Sequence, residues 1–193
     1  MTNLESWQIF SVLANGARRT GVALSAVIIV LSISALGTPL SSSADGLPST
    51  PPALAQAAPG TDIWVMDLQE SSGQIRVINH VRITNRAGYD NQPHFGPGGG
   101  YVLYTSIEES GQADILRYDF SSGRSENLTR TASESEYSAT LMPGGERFSA
   151  IRVEADSTQR LWSFDLSGSN PEVVLHSVMP VGYHCLLYTS PSP

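Results

Sequence analysis

The segments "DIWVMDL" at 62–68, "DILRYDF" at 114–120 and "RLWSFDL" at 160–166 are three versions of one pattern. Each carries apolar side chains at alternate positions and, in its second half, an aspartate: Asp67, Asp119 or Asp165. Alternation with a period of two predicts a β-strand with one apolar face. The aspartates recur at a spacing of roughly 50 residues, which is typical of arrays built from one repeated unit.

Two further elements recur with this strand and in the same order. The runs "PHFGPGGGYVLYTS" from Pro93 and "ATLMPGGERFSAIR" from Ala139 each predict two strands joined by a Pro-Gly-Gly turn. A short ending closes each unit and reads Ile83-Thr84, Leu128-Thr129 and Leu175-His176. Each unit is therefore predicted to be a four-stranded antiparallel sheet, and such sheets bury their apolar faces by stacking around an axis. The predicted fold is all-β, a partial β-propeller of about two to three blades, because the first unit lacks its first half.

These residues resemble the WD40-like (PD40) repeat of the TolB-type β-propeller family. The matching positions are Pro93, Phe95, Pro97, Gly99, Asp114, Ile115, Asp119, Phe120, Gly123, Leu128 and Thr129. The resemblance covers roughly residues 61–184 and implies a periplasmic propeller that binds proteins. Two departures stand out. Gly98 and Gly144 replace an aspartate of the family's turn, and Arg160 stands where Asp62 and Asp114 stood.

The residues before the repeats predict export. Arg18 and Arg19 precede an apolar run from Val22 to Leu36, which is shorter than the roughly 20 apolar residues that a membrane span needs. A basic flank and a short apolar run are typical of a signal peptide, so 1–37 is predicted to be a signal peptide or, uncleaved, an N-terminal anchor. Residues 38–60 are rich in Pro, Ser and Ala and predict a disordered linker.

The last nine residues, "CLLYTSPSP" at 185–193, depart from the repeat. The repeat predicts that a fourth unit opens at Tyr183, and a strand followed by a Pro-Gly turn should come next. The string instead resembles the translation of a transposon-end adapter used in DNA sequencing libraries. Our interpretation is that 185–193 is an artefactual tail and that 61–184 is an incomplete propeller.

Composition excludes several classes of chemistry. The net charge is −7, which disfavours nucleic acid or an anionic membrane surface as a partner. All 11 basic residues are arginines, so Schiff-base and Walker-type lysines are excluded. Cys185 is the one cysteine, so disulfides and thiolate metal sites are not expected either.

No residue pattern indicates catalysis, a cofactor or a metal. Asp67, Asp119 and Asp165 are each expected at a strand end, where an aspartate accepts hydrogen bonds from turn amides. His80, His94, His176 and His184 lack ligand spacing, and no Gly-x-Ser-x-Gly motif occurs. Trp64 and Trp162 occupy one repeat position and are predicted to pack against a neighbouring sheet.

The sequence therefore predicts an exported TolB-like propeller, not an enzyme, that serves as a platform for protein partners in the cell envelope. One alternative is the propeller of a prolyl-oligopeptidase-like serine peptidase whose catalytic domain is missing. A second is a sensor tethered to the membrane by residues 22–36.

Overall fold

The structure is a computed structural model that describes residues 7–10, 25–32 and 60–187, the first two ranges by their backbone only. The rest of the predicted signal peptide, the linker as far as residue 59 and the tail from residue 188 lie outside these ranges. Within the described residues the regular structure consists of strands and one short 3-10 turn, Pro97–Gly99. The predicted all-β class is confirmed. No helix among the described residues is long and apolar enough to cross a membrane.

The strands form three antiparallel ribbons, which we call blades 1, 2 and 3. Blade 1 contains β1 (Trp7–Phe10), β2 (Ser25–Ser32), β3 (Thr61–Ser71) and β4 (Gln74–Arg82). Blade 2 contains β5 (Tyr89–Phe95), β6 (Tyr101–Ile107), β7 (Ala113–Asp119) and β8 (Arg124–Asn127). Blade 3 contains β9 (Ser135–Leu141), β10 (Arg147–Val153), β11 (Gln159–Asp165) and β12 (Glu172–Val173). The arrangement is that of propeller blades, and the described blades do not close into a ring.

Blade 1 differs from the sequence prediction, which left this unit without its first half. In the structure β2 pairs antiparallel with β3, from Ser25 opposite Leu68 to Ser32 opposite Thr61, and β1 pairs with β2. The run that predicts an export signal is rich in Val and Ile, and β-branched residues also favour strands. The same residues thus satisfy two different patterns.

Consecutive blades pack through two distinct faces. We call the face that carries Ile63, Ile115 or Leu161 the front face, and the face that carries Trp64, Leu116 or Trp162 the back face. The front face of blade 1 contributes Ile63 to a cluster with residues on the back face of blade 2: Phe95, Val102, Tyr104, Leu116 and Tyr118. The front face of blade 2 packs in the same way on blade 3, where Ile115 and Leu103 meet residues at the equivalent positions: Leu141, Phe148, Ala150, Trp162 and Phe164. This repeated front-on-back contact forms the core.

The two turn glycines that depart from the family pattern have a conformational explanation. Gly98 has φ 67° and Gly144 has φ 94°, in the left-handed region that glycine adopts without steric cost. Glycine therefore suits this turn even though it provides no side chain to accept a hydrogen bond.

A buried aspartate and a threonine join the third and fourth strands of blades 1 and 2. The Asp114 carboxylate accepts a hydrogen bond from the Thr129 hydroxyl at 3.1 Å, and that hydroxyl accepts the Ile115 amide at 3.0 Å. Asp62 and Thr84 repeat this arrangement around the Ile63 amide. We call this group the Asp–Thr clasp. The hydrogen bonds of the clasp explain why the first two units end with a threonine.

Blade 3 lacks both members of the clasp. The Val174 amide donates to the Leu161 carbonyl, as Leu128 does to Ile115 and Ile83 to Ile63. The third unit therefore ends at Val174-Leu175, and the alignment that placed Leu175-His176 there was wrong by one residue. Leu175 holds the threonine position while Arg160 holds the aspartate position, so the two partners are replaced together.

The clasp of blade 2 predicts a local loss of stability in Asp114→Ala. This change leaves the Thr129 hydroxyl, the Asn127 amide group and the Thr131 amide without their acceptor. Unpaired buried groups cost about 1–3 kcal/mol each, so we expect a loss of about 3 kcal/mol. Hydrogen exchange of the Ile115 amide should then be about 100-fold faster. Asp119→Ala, which removes an exposed turn carboxylate, is the matched control, and equal effects of the two changes would contradict the clasp.

Candidate protein-interaction site

The three repeated aspartates do not share one role. Asp119 accepts the Ser121 and Ser122 amides, both at 3.0 Å, so the predicted turn cap is confirmed there. The Ser121 hydroxyl also donates to this carboxylate at 2.6 Å, and this bond, followed by the bond from the Ser122 amide, lowers the pKa of the Asp119 carboxyl. The cap prediction is wrong for Asp67, because β3 continues to Ser71 and Asp67 lies inside the strand, where it accepts from Asn79 at 3.0 Å.

Asp165 ends its strand as predicted but binds side chains instead of turn amides. Its carboxylate pairs with Arg147 and accepts a hydrogen bond from the side chain of Asn170. The Gly168 amide bonds to the Asp165 carbonyl, so the turn is closed by the backbone. The three aspartate carboxylates are all at least partly solvated, so each can bind a different set of partners.

Trp162 has the predicted packing role and a second one. Its ring packs against the core cluster between blades 2 and 3, which confirms the prediction for this residue. Its indole Nε1 donates to Glu154 at 2.9 Å, and the Arg152 guanidinium lies 4.6 Å from the ring centroid. Trp64 is half-buried and lies beside His80, with 6.0 Å between ring centroids.

Arg160 organises a polar cluster at the end of the β10–β11 hairpin. Its guanidinium donates through Nε to Glu154 at 2.7 Å and through a second nitrogen to the other carboxylate oxygen. Glu154 thereby accepts from Arg160 and Trp162 together. Hydrogen bonds from Arg160 lower the pKa of the Glu154 carboxyl, and Glu154 in turn raises the pKa of Arg160. Two-point contact of this kind fixes the orientation of all three side chains.

A second ion pair, between Arg152 and Glu136, lies next to the Arg160 cluster. Arg152 lies directly opposite Arg160 in the β10–β11 ladder, which places two like charges side by side. Arg152 donates to Glu136 at 2.8 Å, and Glu136 is fully buried on β9. Burial raises the pKa of the Glu136 carboxyl, while the Arg152 charge acts in the opposite direction. Each arginine thus pairs with its own carboxylate, which offsets the repulsion between the two neighbouring guanidiniums.

These side chains line an open cleft with a volume of about 330 Å³. Its walls are formed by Glu134, Arg152, Glu154, Ala155, Asp156, Arg160 and Trp162. Tryptophan and arginine are enriched where protein partners bind most strongly. The two arginines and the tryptophan of the cleft lie on strands and are held by the contacts described above, so they can bind a partner with little further loss of side-chain entropy.

The structure also brings together a serine and two histidines that the sequence did not link. His184 Nε2 lies 2.8 Å from the Ser149 hydroxyl. Burial lowers the pKa of the His94 imidazole, and the nearby His184 lowers it further. Ser149 is fully buried, and Nδ1 of His184 has no hydrogen-bond partner among the described residues. A nucleophilic serine requires access to its substrate and a base that is oriented by a further hydrogen bond. No group of three or more His, Cys, Asp or Glu side chains suited to a metal occurs in the described part of the chain.

The sequence indicated Arg160 as a departure from the repeat but did not identify Glu154 as its partner. The available signal was the hairpin itself, since Glu154 and Arg160 flank a short loop and alternate onto one face of the sheet. Asp156 accepts the Thr158 amide at 2.9 Å, so this loop is ordered by its own hydrogen bonds.

Comparisons with solved structures support the fold. No protein-family model matches the sequence, and no curated protein matches it. The chain is similar to a mutant of the apocarotenoid oxygenase of Synechocystis, with a TM-score of 0.51 at 15% identity over 91% of this chain and 38% of that chain. It is similar to TolB from Acinetobacter baumannii, with a TM-score of 0.48 at 20% identity over 76% of this chain and 29% of that chain. It is also similar to a puromycin-hydrolyzing peptidase of Mycobacterium tuberculosis, with a TM-score of 0.48 at 13% identity over 92% of this chain and 30% of that chain.

These likenesses bear on architecture alone. The identities of 13% to 20% are below the level at which activity is shared. The chain spans about a third of the length of each of these structures.

The Arg160 cluster predicts a defined acid titration. Because Arg160 lowers the pKa of Glu154, the cluster stabilises the fold above the ordinary glutamate pKa of 4.5, and this contribution is lost as the pH falls through the lowered value. In a Trp7→Phe, Trp64→Phe background, the fluorescence of Trp162 should titrate with a midpoint below pH 4.5. Arg160→Gln should move the midpoint upward. The control Arg124→Gln should not, and a midpoint that Arg160→Gln leaves unchanged would disprove the coupling.

Proposed function

We propose that this chain is an exported, non-catalytic β-propeller that binds protein partners in the cell envelope through the cleft at Arg160. The observation that carries the proposal is the joint replacement of the Asp–Thr clasp in blade 3 by Arg160 and Leu175. Blades 1 and 2 use this position to join their own strands. In blade 3 the residue at this position, Arg160, instead forms an accessible cluster with Glu154 and Trp162.

Departures from a local structural rule are concentrated where a protein binds or reacts. The departure at Arg160 removes hydrogen bonds that blades 1 and 2 keep and puts a positive charge where those blades have a carboxylate. Glu134, Glu154 and Asp156 give the cleft three carboxylates against the two guanidiniums of Arg152 and Arg160. A partner that inserts a basic or polar side chain between these groups would meet complementary charge, which favours specific association.

A role without catalysis is part of the proposal. Ser149, whose hydroxyl lies 2.8 Å from His184 Nε2, is fully buried in blade 3. If the chain is not a hydrolase, a fluorophosphonate probe will leave it unlabelled. Labelling that is lost in Ser149→Ala would instead support the peptidase alternative.

The proposed export can be tested by the compartment in which a fused reporter enzyme becomes active. The apolar run after Arg19 should direct a fused alkaline phosphatase out of the cytoplasm of a Gram-negative host, where the enzyme becomes active. Ile28→Asp with Ile29→Asp should abolish activity, because charge in a short apolar run prevents recognition as a signal. Equal activity of the two fusions would contradict export. The mass of the exported chain distinguishes a cleaved signal from an anchor, and therefore also shows whether β1 and β2 remain in blade 1.

The binding site is tested by photo-crosslinking in envelope preparations of the native host. A benzophenone amino acid at Asp156, on the exposed rim of the cleft, should yield discrete crosslinked proteins. The same group at Glu146, in an exposed turn at the opposite end of blade 3, should not. Arg160→Glu should remove the Asp156 products. Identical products from both positions, or none from Asp156, would rule out the cleft as the site.

A further inference from the structure

The outer strand of blade 1 is much longer than its counterparts. β4 has nine residues, whereas β8 has four and β12 has two. Short outer strands protect a propeller from edge-to-edge pairing. In the described residues β4 pairs with β3 and with no other strand, so its outer backbone edge is open.

Three apolar side chains of β4 are largely exposed to solvent. Ile75 is 68% exposed, Val77 54% and Val81 53%. The side chains of Ile75 and Val77 lie on the back face, opposite Glu70 and Leu68 in the ladder with β3. An open strand edge flanked by an apolar row is the geometry onto which an extended segment adds as a further strand.

The charge of this edge specifies the partner. The segment "QIRVINHVR" at 74–82 contains two arginines and a histidine and no carboxylate, in a chain whose net charge is −7. Arg82 is paired with Asp62, whereas no ion pair to Arg76 occurs among the described residues. Arg76, which lies opposite Gln69 in the ladder, therefore offers a positive charge on the front face, while Ile75 and Val77 lie on the back face.

The same charges disfavour a second copy of this chain. Antiparallel pairing of residues 74–78 with the same residues of a second copy would set Arg76 opposite Arg76, with no acidic group in either strand. Like charges in directly opposed positions destabilise a ladder. An acidic residue opposite Arg76 would instead stabilise it.

The usable length of the edge is limited at one end. Asn79 has φ 51°, and the register of β4 against β3 shifts near this residue. The regular ladder therefore covers Gln74–Ile78, and a bulge interrupts pairing beyond it. A partner strand of about five residues fits this stretch.

We propose that β4 is a docking strand for an extended protein segment in which an acidic residue lies between two apolar residues. The segment adds antiparallel to Gln74–Ile78, with its acidic side chain beside Arg76 and its apolar side chains beside Ile75 and Val77. This inference rests on the proposed binding function and names the class of partner for a surface separate from the Arg160 cleft.

The test uses the full chain, immobilised at low density so that copies do not meet, and two capped peptides, TVEVT and TVKVT. Surface plasmon resonance should show about tenfold tighter binding of TVEVT, since the pair with Arg76 changes from attraction to repulsion. Arg76→Glu should reverse the preference. Arg124→Glu, an equally exposed arginine on the outer strand of blade 2, should leave it unchanged.

Two further variants keep the outcome decisive. Val77→Pro removes a backbone donor in the ladder and should abolish binding of both peptides. Val77→Thr keeps the strand and should weaken TVEVT only severalfold. Equal affinity for the two peptides, or a preference that Arg76→Glu leaves in place, overturns the proposal. A dimer of the free chain that Val77→Pro dissolves overturns it in favour of a second copy.

The experiments distinguish failure of the docking strand from failure of the cleft. Loss of the peptide preference with intact crosslinks at Asp156 removes the docking strand and leaves the cleft. Loss of the Asp156 crosslinks with an intact peptide preference removes the cleft and leaves the strand.

Discussion

The fold depends on apolar contact between the front face of one blade and the back face of the next. Ile63 packs on blade 2 and Ile115 packs on blade 3 at the same repeat position, against residues that are themselves equivalent. A single four-stranded ribbon has two sides and no partner for either, so it gains stability mainly when another ribbon covers it. Each blade consequently supports its neighbour, and hydrogen bonds within a blade only fix its strands in register.

The Asp–Thr clasp shows how a repeated unit acquires a local specialisation. In blades 1 and 2 the clasp joins the third strand to the end of the fourth. Blade 3 keeps the backbone contact through Val174 but loses both side chains of the clasp. The freed position carries Arg160, whose guanidinium turns to Glu154 and forms one wall of a cleft. The scaffold tolerates the exchange because front-on-back packing, not the clasp, holds the blade in place.

The sequence predicted the blades well and their details less well. The order of strands, the glycine turns and the core position of Trp162 followed from alternation and spacing. Asp67 was assigned to a turn because its repeat partners precede turns, but β3 extends four residues further and places it inside the strand. The third unit was misaligned by one residue, because Leu175-His176 has the apolar-then-polar pattern of Leu128-Thr129, whereas the structural equivalent, Val174-Leu175, is apolar at both positions. Glu154 was missed because its role depends on a side-chain contact across a hairpin.

By itself the sequence determined the period, the all-β class and the two-sided character of each strand, because alternation of apolar residues is written directly in the order of amino acids. It also identified Arg160 as an exception. Only the tertiary structure decided which carboxylate Arg160 binds, that Glu136 neutralises Arg152, and that β4 is left with an open edge. These features depend on which strands lie side by side, in which register, and which side chains then meet, and no pattern of alternating hydropathy encodes that.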